Sequence, residues 1–265
     1  MPTPFGFYIL WLILQFMDFI DFHSISAVCK NWKLACKSYC PPSPNDPIPW
    51  LLTEYAATIK STFLAEKHIR VYRPLTNKTY KINVPDIGAK CRCLHSKDAW
   101  LLLHFVDCVH LTNRLVLCNL FTLNKIDVPS PKLRVIVSRI SQGTFSTISK
   151  SPNCVIFVAK NIRTRTRDMY AWKIGSNTWK TYQLHWDYCG GINWLYDHLY
   201  CFSGDRVMVF DNDLNLKRRH NFNIWIDDTF NITESDQELF AVPWPNSNYD
   251  SYKFDRATLD WAKVN

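Results

Sequence analysis

A small α-helical module followed by a mainly antiparallel β domain, a β-propeller of about five blades, is the fold this sequence predicts. Three observations lead there. Apolar side chains recur at helical spacing within the first forty residues, and five prolines then crowd residues 41–49. Beyond Trp50 a strand–turn–strand unit returns at a period of about 40–50 residues, the spacing of propeller blades.

Composition supports this division. Of the 265 residues, 47% are hydrophobic and 20% charged, which excludes wholesale disorder. A chain of this length can bury a sizeable core without a metal or disulfide staple. Aromatic residues reach 15%, with 11 Trp against only 7 Gly. Such stiff, bulky composition favours half-buried strands over a helical bundle.

The helical module spans residues 1–40. Leu10, Ile13, Leu14 and Met17 fall at i, i+3, i+4 and i+7, one face of a helix. Asp21 is suited to capping a second helix, whose stripe runs through Ile25, Val28, Trp32, Ala35 and Tyr39. Phe5 to Leu14 is apolar throughout but shorter than the roughly 20 residues a membrane span needs. The first basic residue is Lys30, so the charged start of a secretory signal is missing. Neither membrane insertion nor secretion is expected. Residues 41–52 form the Pro-rich linker, semi-rigid because proline fixes φ and donates no amide.

The β domain occupies residues 53–265. Its hairpins are Ile69–Tyr72 with Lys78–Ile82, Leu115–Cys118 with Asn124–Val128, and Met169–Trp172 with Asn177–Thr181. Two more follow, Arg206–Phe210 with Leu214–Leu216 and Ser251–Phe254 with Leu259–Val264. Taking Tyr72, Cys118, Trp172, Phe210 and Phe254 as equivalent gives intervals of 46, 54, 38 and 44 residues. Inner strands are expected at Trp100–Val106, Cys154–Ala159, Leu199–Phe202 and Leu239–Val242. A β-sandwich would account for the alternation but not for the regular hairpin period.

Charge and cysteine usage bear on partners and compartment. Net charge is 0 over residues 1–50, +5 over 51–131, +8 over 132–220 and −5 over 221–265. A basic middle suits an acidic partner. The ten cysteines show no C-x2-C spacing, and Cys29, Cys118, Cys154 and Cys201 sit in apolar runs. A reducing, intracellular setting is expected, cytoplasmic or nuclear.

Catalytic and nucleotide signatures are absent: no G-x-S-x-G, Walker loop, H-E-x-x-H or G-x-G-x-x-G occurs. His95 and His104 beside Cys91, Cys93 and Asp107 match no tetrahedral metal template and read as packed strand residues. Arg163, Arg165 and Arg167 alternate with Thr in an expected blade loop, a candidate surface for an acidic protein target rather than nucleic acid. Lys217-Arg218-Arg219-His220 reads as a solvated turn after a strand. No metal or other cofactor is expected.

Ile20-Asp21-Phe22-His23-Ser24-Ile25-Ser26-Ala27-Val28-Cys29-Lys30-Asn31-Trp32-Lys33 resembles the second half of an F-box, hydrophobic–Asp–x–x–x–hydrophobic–x–x–Val-Cys-Lys-x-Trp. The remainder resembles the KIB-type β-propeller of plant F-box proteins. The matching stretches are Pro49-Trp50-Leu51, Ala99-Trp100-Leu101, Leu117-Cys118-Asn119-Leu120-Phe121-Thr122 and Ile126-Asp127-Val128-Pro129. Ser151-Pro152-Asn153-Cys154-Val155-Ile156, Asp168-Met169-Tyr170-Ala171-Trp172 and Trp179 continue the match.

The resemblance implies a non-catalytic adaptor of a cullin-type ubiquitin ligase. Its N-terminal helices would dock a Skp1-like protein and its propeller would present a protein substrate. Leu10, Ile13, Leu14, Met17, Ile25, Val28, Cys29 and Trp32 are its expected Skp1-binding or F-box core residues. F-boxes usually open with Leu-Pro and an acidic residue, where this chain has Phe5, Gly6 and Phe7 or Tyr8. Family members also continue beyond the equivalent of Trp261-Ala262-Lys263-Val264. The expectation is therefore an F-box protein shortened at both ends, with its propeller incompletely closed. The alternative function is a decayed propeller-type interaction protein without Skp1 binding.

Overall fold

The computed structural model describes residues 4–14, 17, 21, 24–25, 28–38, 51–55, 68–74, 77–83, 91–97, 100–107, 112–120, 124–129, 140–146, 154–160, 166–185, 191–226, 230–235, 237–243 and 249–264. The chain divides into two compact units, residues 1–130 and 131–265.

Unit one opens with helices α1 (Pro4–Leu14) and α2 (Lys30–Ser38). Pro4 suits a first helical position, where its missing amide would have had no intrahelical partner. Asp21, Ser24 and Ile25 are also helical. Leu14, Ala35 and Cys36 are buried together, with Leu10, Met17, Ile25 and Trp32 packed around them.

The expected stripe from Ile25 to Tyr39 is broken. The Val28 amide donates to the Ile25 carbonyl at 3.1 Å in a turn, and α2 starts afresh with the Lys33 amide donating to Cys29 at 3.0 Å. Helical phase is lost at the turn, so Val28 and Cys29 point outward while Cys36 takes the buried place. Tyr39 and residues 41–50 of the expected linker lie outside the described residues; Leu51 and Leu52, assigned to that linker, belong to a strand.

Two antiparallel sheets follow in unit one. The first orders β1 (Leu51–Tyr55), β2 (His68–Arg73) and β3 (Lys78–Asn83); the second orders β4 (Cys91–Lys97), β5 (Trp100–Asp107), β6 (Thr112–Asn119) and β7 (Lys125–Val128). Ile69, Val71, Tyr80 and Ile82 of the first sheet share a core with Leu101, Leu103, Phe105, Val116 and Cys118 of the second.

Unit two holds three more sheets. One is built of β8 (Ile140–Phe145), β9 (Val155–Lys160), β10 (Thr166–Lys173) and β11 (Lys180–His185). Next come β12 (Gly191–Leu195), β13 (His198–Phe210) and β14 (Leu216–Ile226). The last contains β15 (Phe230–Ser235), β16 (Glu238–Pro243), β17 (Tyr252–Asp255) and β18 (Asp260–Lys263). Every paired strand is antiparallel to a sequence neighbour, so each sheet is a simple meander.

All five expected hairpins are formed, for example Val71 opposite Tyr80, Leu117 opposite Ile126, and Phe254 opposite Trp261. The opening strands β1, β4, β8, β12 and β15 were not among the expected elements. β4 and β8, Cys91–Lys97 and Ile140–Phe145, interleave thiols, His, Gln and Gly with their apolar residues and show no clean alternation.

β13 joins two expected strands, and its side chains show the join. Leu199 and Cys201 share one core with Met208 and Phe210, whereas Tyr200 and Phe202 share the other with Val207 and Val209. Continuous period-two alternation would keep odd residues together. The phase switches at Gly204, where φ is +55°, just before the surface pair Asp205 and Arg206. The sheet is therefore made of four strand segments, like its two neighbours in unit two.

Gly204 is required here twice. Its φ is left-handed, and an added Cβ would lie 3.0 Å from the Trp225 indole. Gly204→Ala is expected to cost about 1–2 kcal/mol of stability, read as a lower denaturation midpoint. Adding Trp225→Ala should recover only the steric part; full recovery would show that the backbone is not strained.

Candidate functional site

Within the helical module the apolar residues divide. Leu14 is buried, and Leu10, Met17, Ile25 and Trp32 are half-buried against it. Ile13, Val28 and Leu34 face solvent, Val28 at 68% exposure, and Cys29 is exposed. Along α1, Tyr8, Ile9, Trp11 and Leu12 are also exposed. α1 contains no charged residue at all, and its first turn lacks the acidic group that would favour the helix dipole. A small module cannot bury all this surface itself, and large exposed apolar patches mark interaction sites.

Of the expected target loop, Arg163 and Arg165 lie outside the described residues. Arg167 sits in β10 opposite Leu184 of β11. The basic run 217–220 is not a turn, as expected from sequence, but the start of β14. Arg218, Arg219 and His220 stand opposite Val209, Met208 and Val207. The preceding turn supplies the reversal instead. There Asp211 accepts the amides of Asp213 at 3.0 Å and Asn215 at 2.8 Å. Lys217 Nζ lies 2.9 Å from the same carboxylate. The Lys217 hydrogen bond, then the Asn215 amide, pull the Asp211 carboxyl down to about 2.

Cys91, Cys93 and His95 belong to β4, and His104 and Asp107 to β5. Cys93 Sγ donates to the His95 carbonyl at 3.3 Å, and His104 Nε2 lies 3.2 Å from Asn113 Oδ1. Among the described residues no three His, Cys, Asp or Glu side chains gather to hold a metal. Burial pushes the Cys91 thiol up to about 12 and the Cys93 thiol to about 11, so neither is a ready thiolate. The described cysteines are all free, with Cys36, Cys118, Cys154 and Cys201 buried.

Burial, with Lys97 adding to it, pushes the His95 imidazole down to about 4 from 6.5. Between those two pH values the unfolded chain takes up a proton that the folded chain refuses. Stability should be level above pH 6.5 and fall as pH drops towards 4, by up to about 1.4 kcal/mol per unit. His104, lowered by burial as well, adds a slope of the same sign, so His95→Gln should make the slope shallower in urea titrations between pH 7 and pH 5 without abolishing it. Equal slopes in both proteins would contradict the burial of His95.

A family model for the KIB1-4 beta-propeller matches residues 71–265, and one for the F-box domain matches residues 7–42. Among curated proteins of Arabidopsis thaliana, the chain is 29% identical over 179 residues to F-box protein At1g49360, covering 67% of this chain and 34% of that protein. It is 26% identical over 207 residues to F-box/kelch-repeat protein At1g57790, covering 76% and 54%. It is 33% identical over 122 residues to F-box/kelch-repeat protein KIB1, covering 45% and 29%. The matched stretches thus take in 29% to 54% of these relatives' lengths. Among the described residues no helix is long and apolar enough to cross a membrane.

Proposed function

The chain belongs to the KIB1-4 β-propeller family and carries an F-box at its N-terminal end, and from that premise we propose that it is a substrate-recognition adaptor of a Skp1–cullin–F-box ubiquitin ligase. Residues 1–40 dock a Skp1-like protein, residues 41–50 link, and residues 51–265 present a protein target. The role is non-catalytic and intracellular.

One observation carries this reading. The F-box match coincides with helices whose apolar residues split between a small core at Leu14, Ala35 and Cys36 and an uncovered set at Ile13, Val28 and Leu34. An uncovered apolar set beside a core of three buried residues fits a module completed by a partner protein. Five sheets in chain order, with the phase switch at Gly204 giving the fourth sheet four strand segments, support five blades.

The test is co-purification of the tagged full chain from plant extract. Recovery of a Skp1-like protein together with a cullin supports the adaptor role. A second reading, a propeller interaction protein without Skp1 binding, is favoured by α1 itself. It opens Pro4-Phe5-Gly6-Phe7 with no acidic residue in its first turn. Recovery of other partners without a Skp1-like protein would select it.

A further inference from the structure

Unit two holds a cluster of cations and aromatic rings that the adaptor role does not assign. The turn between β12 and β13 is made by Tyr196 and Asp197, with φ of +46° and +61°. Two consecutive left-handed residues define a tight hairpin turn that normally selects Asn-Gly or Asp-Gly. A tyrosine there is strained. Leu214 and Leu259 are left-handed too, but both are buried and gain core contacts. Tyr196 is 49% exposed and gains no such burial.

What its ring does is hold an arginine. Arg256, from the turn between β17 and β18, places its guanidinium carbon 3.8 Å from the centre of the Tyr196 ring. Such stacking fixes the guanidinium plane and leaves its edge donors free for an anion. The His198 ring anchors the same turn, with Nδ1 2.9 Å from the Tyr196 carbonyl, and lies 6.5 Å from the Tyr200 ring.

A second arginine reaches the same place. Arg218 stands opposite Val209 in the β13–β14 register, so it projects from the face that Val209 shares with Tyr200. The Tyr200 ring packs edge-on against Phe254, 5.7 Å away. Burial pushes its phenol up, while the charges of Arg256 and then Arg218 pull it down. The neighbouring Asp255 accepts the Ala257 amide at 2.8 Å, which with the Arg256 charge holds its carboxyl below the usual range. Asp197 is the exposed neighbour in the turn itself. Among the described residues neither Arg218 nor Arg256 forms an ion pair.

We propose that Arg218 and Arg256 form a binding site for a phosphate monoester on a protein target, with Tyr196 as the platform that orients Arg256 and His198 holding the turn that carries it. Two guanidiniums that form no ion pair among the described residues match the dianion, and their planar donors match its oxygens. The phosphate chemistry stands on this cluster alone; its presentation on a protein rests on the adaptor reading.

The test is calorimetric titration of the full chain with a short glycine peptide centred on phosphoserine, its unphosphorylated form, and inorganic phosphate, all at matched ionic strength. The phosphopeptide should bind, the unphosphorylated peptide should not, and inorganic phosphate should bind more weakly than the phosphopeptide. Arg218→Gln with Arg256→Gln should weaken phosphopeptide binding at least tenfold, while Lys217→Gln leaves it unchanged.

Tyr196→Asn separates function from folding. Asn tolerates the left-handed turn, so thermal stability should hold or rise while binding weakens several-fold. Undiminished phosphopeptide binding in the double arginine variant, or equal binding of both peptides, overturns the site. Inorganic phosphate binding as tightly as the phosphopeptide overturns its assignment to a protein target. Capture of a Skp1-like protein is scored on the same preparation. A chain that captures that protein but ignores the phosphopeptide loses only this site, and the converse loses only the adaptor role.

Discussion

Phe202→Ala is expected to lower the free energy of unfolding by about 3–5 kcal/mol, among the largest effects of any single substitution in this chain. Phe202 is fully buried on the face that β13 presents to the last sheet. Its ring centre lies 5.1 Å from Phe254 and 5.3 Å from Trp261, the two residues paired across β17 and β18. Removing it deletes both edge and tilted ring contacts and leaves a cavity that three aromatic neighbours, Tyr200, Phe254 and Trp261, too rigid to collapse, cannot fill. Domains carry only about 5–15 kcal/mol of net stability, so the variant would sit near the edge of folding. Urea denaturation should show a lower midpoint with an unchanged slope. A loss under about 1 kcal/mol would mean that the sheets on either side of Phe202 do not pack through it.

The second large effect concerns docking. Val28→Ala with Trp32→Ala is expected to abolish association with a Skp1-like protein, since truncating a desolvated Trp anchor alone typically costs about 2 kcal/mol or more. The two residues are not equivalent. Trp32 is half-buried against Leu14, Ala35 and Cys36, so its truncation also loosens the module. Val28 is 68% exposed and supports nothing inside. Val28→Asp should therefore leave the thermal midpoint unchanged and still weaken docking at least tenfold. Arg163→Ala with Arg165→Ala should leave docking intact. If Val28→Asp binds as the wild type does, the docking face lies elsewhere on the module.

The hairpins were legible because their signal is local. Met169-Tyr170-Ala171-Trp172 and Lys180-Thr181-Tyr182 alternate at period two around a polar turn, and in the structure Tyr170 faces Thr181. Among the opening strands β15 does alternate, with Phe230 and Ile232 buried between exposed neighbours, but β4, β8 and β12 do not. Gly191–Leu195 is buried along its whole length, and its pattern is set by sheets on both faces rather than by water on one. Ile25, Val28 and Trp32 read as one helical stripe because a continuous second helix was assumed; the turn at Val28 resets the phase and leaves Val28 exposed while Ile25 and Trp32 pack inward. Likewise 217–220 reads as a solvated turn because all four residues are polar, yet β14 tolerates them on the outer strand of its sheet. The Tyr196–Arg256 contact joins residues sixty positions apart. No spacing rule in the sequence could find it; the one local hint is a tyrosine where a turn calls for asparagine or glycine.

The adaptor account is tested most directly by titrating the purified full chain with a purified plant Skp1-like protein and measuring the heat of binding. A saturable one-to-one complex at micromolar concentration or tighter, lost in Val28→Asp, is the predicted result. No measurable binding by a wild-type chain that melts cooperatively would contradict it, and would leave a propeller protein whose F-box helices serve another partner.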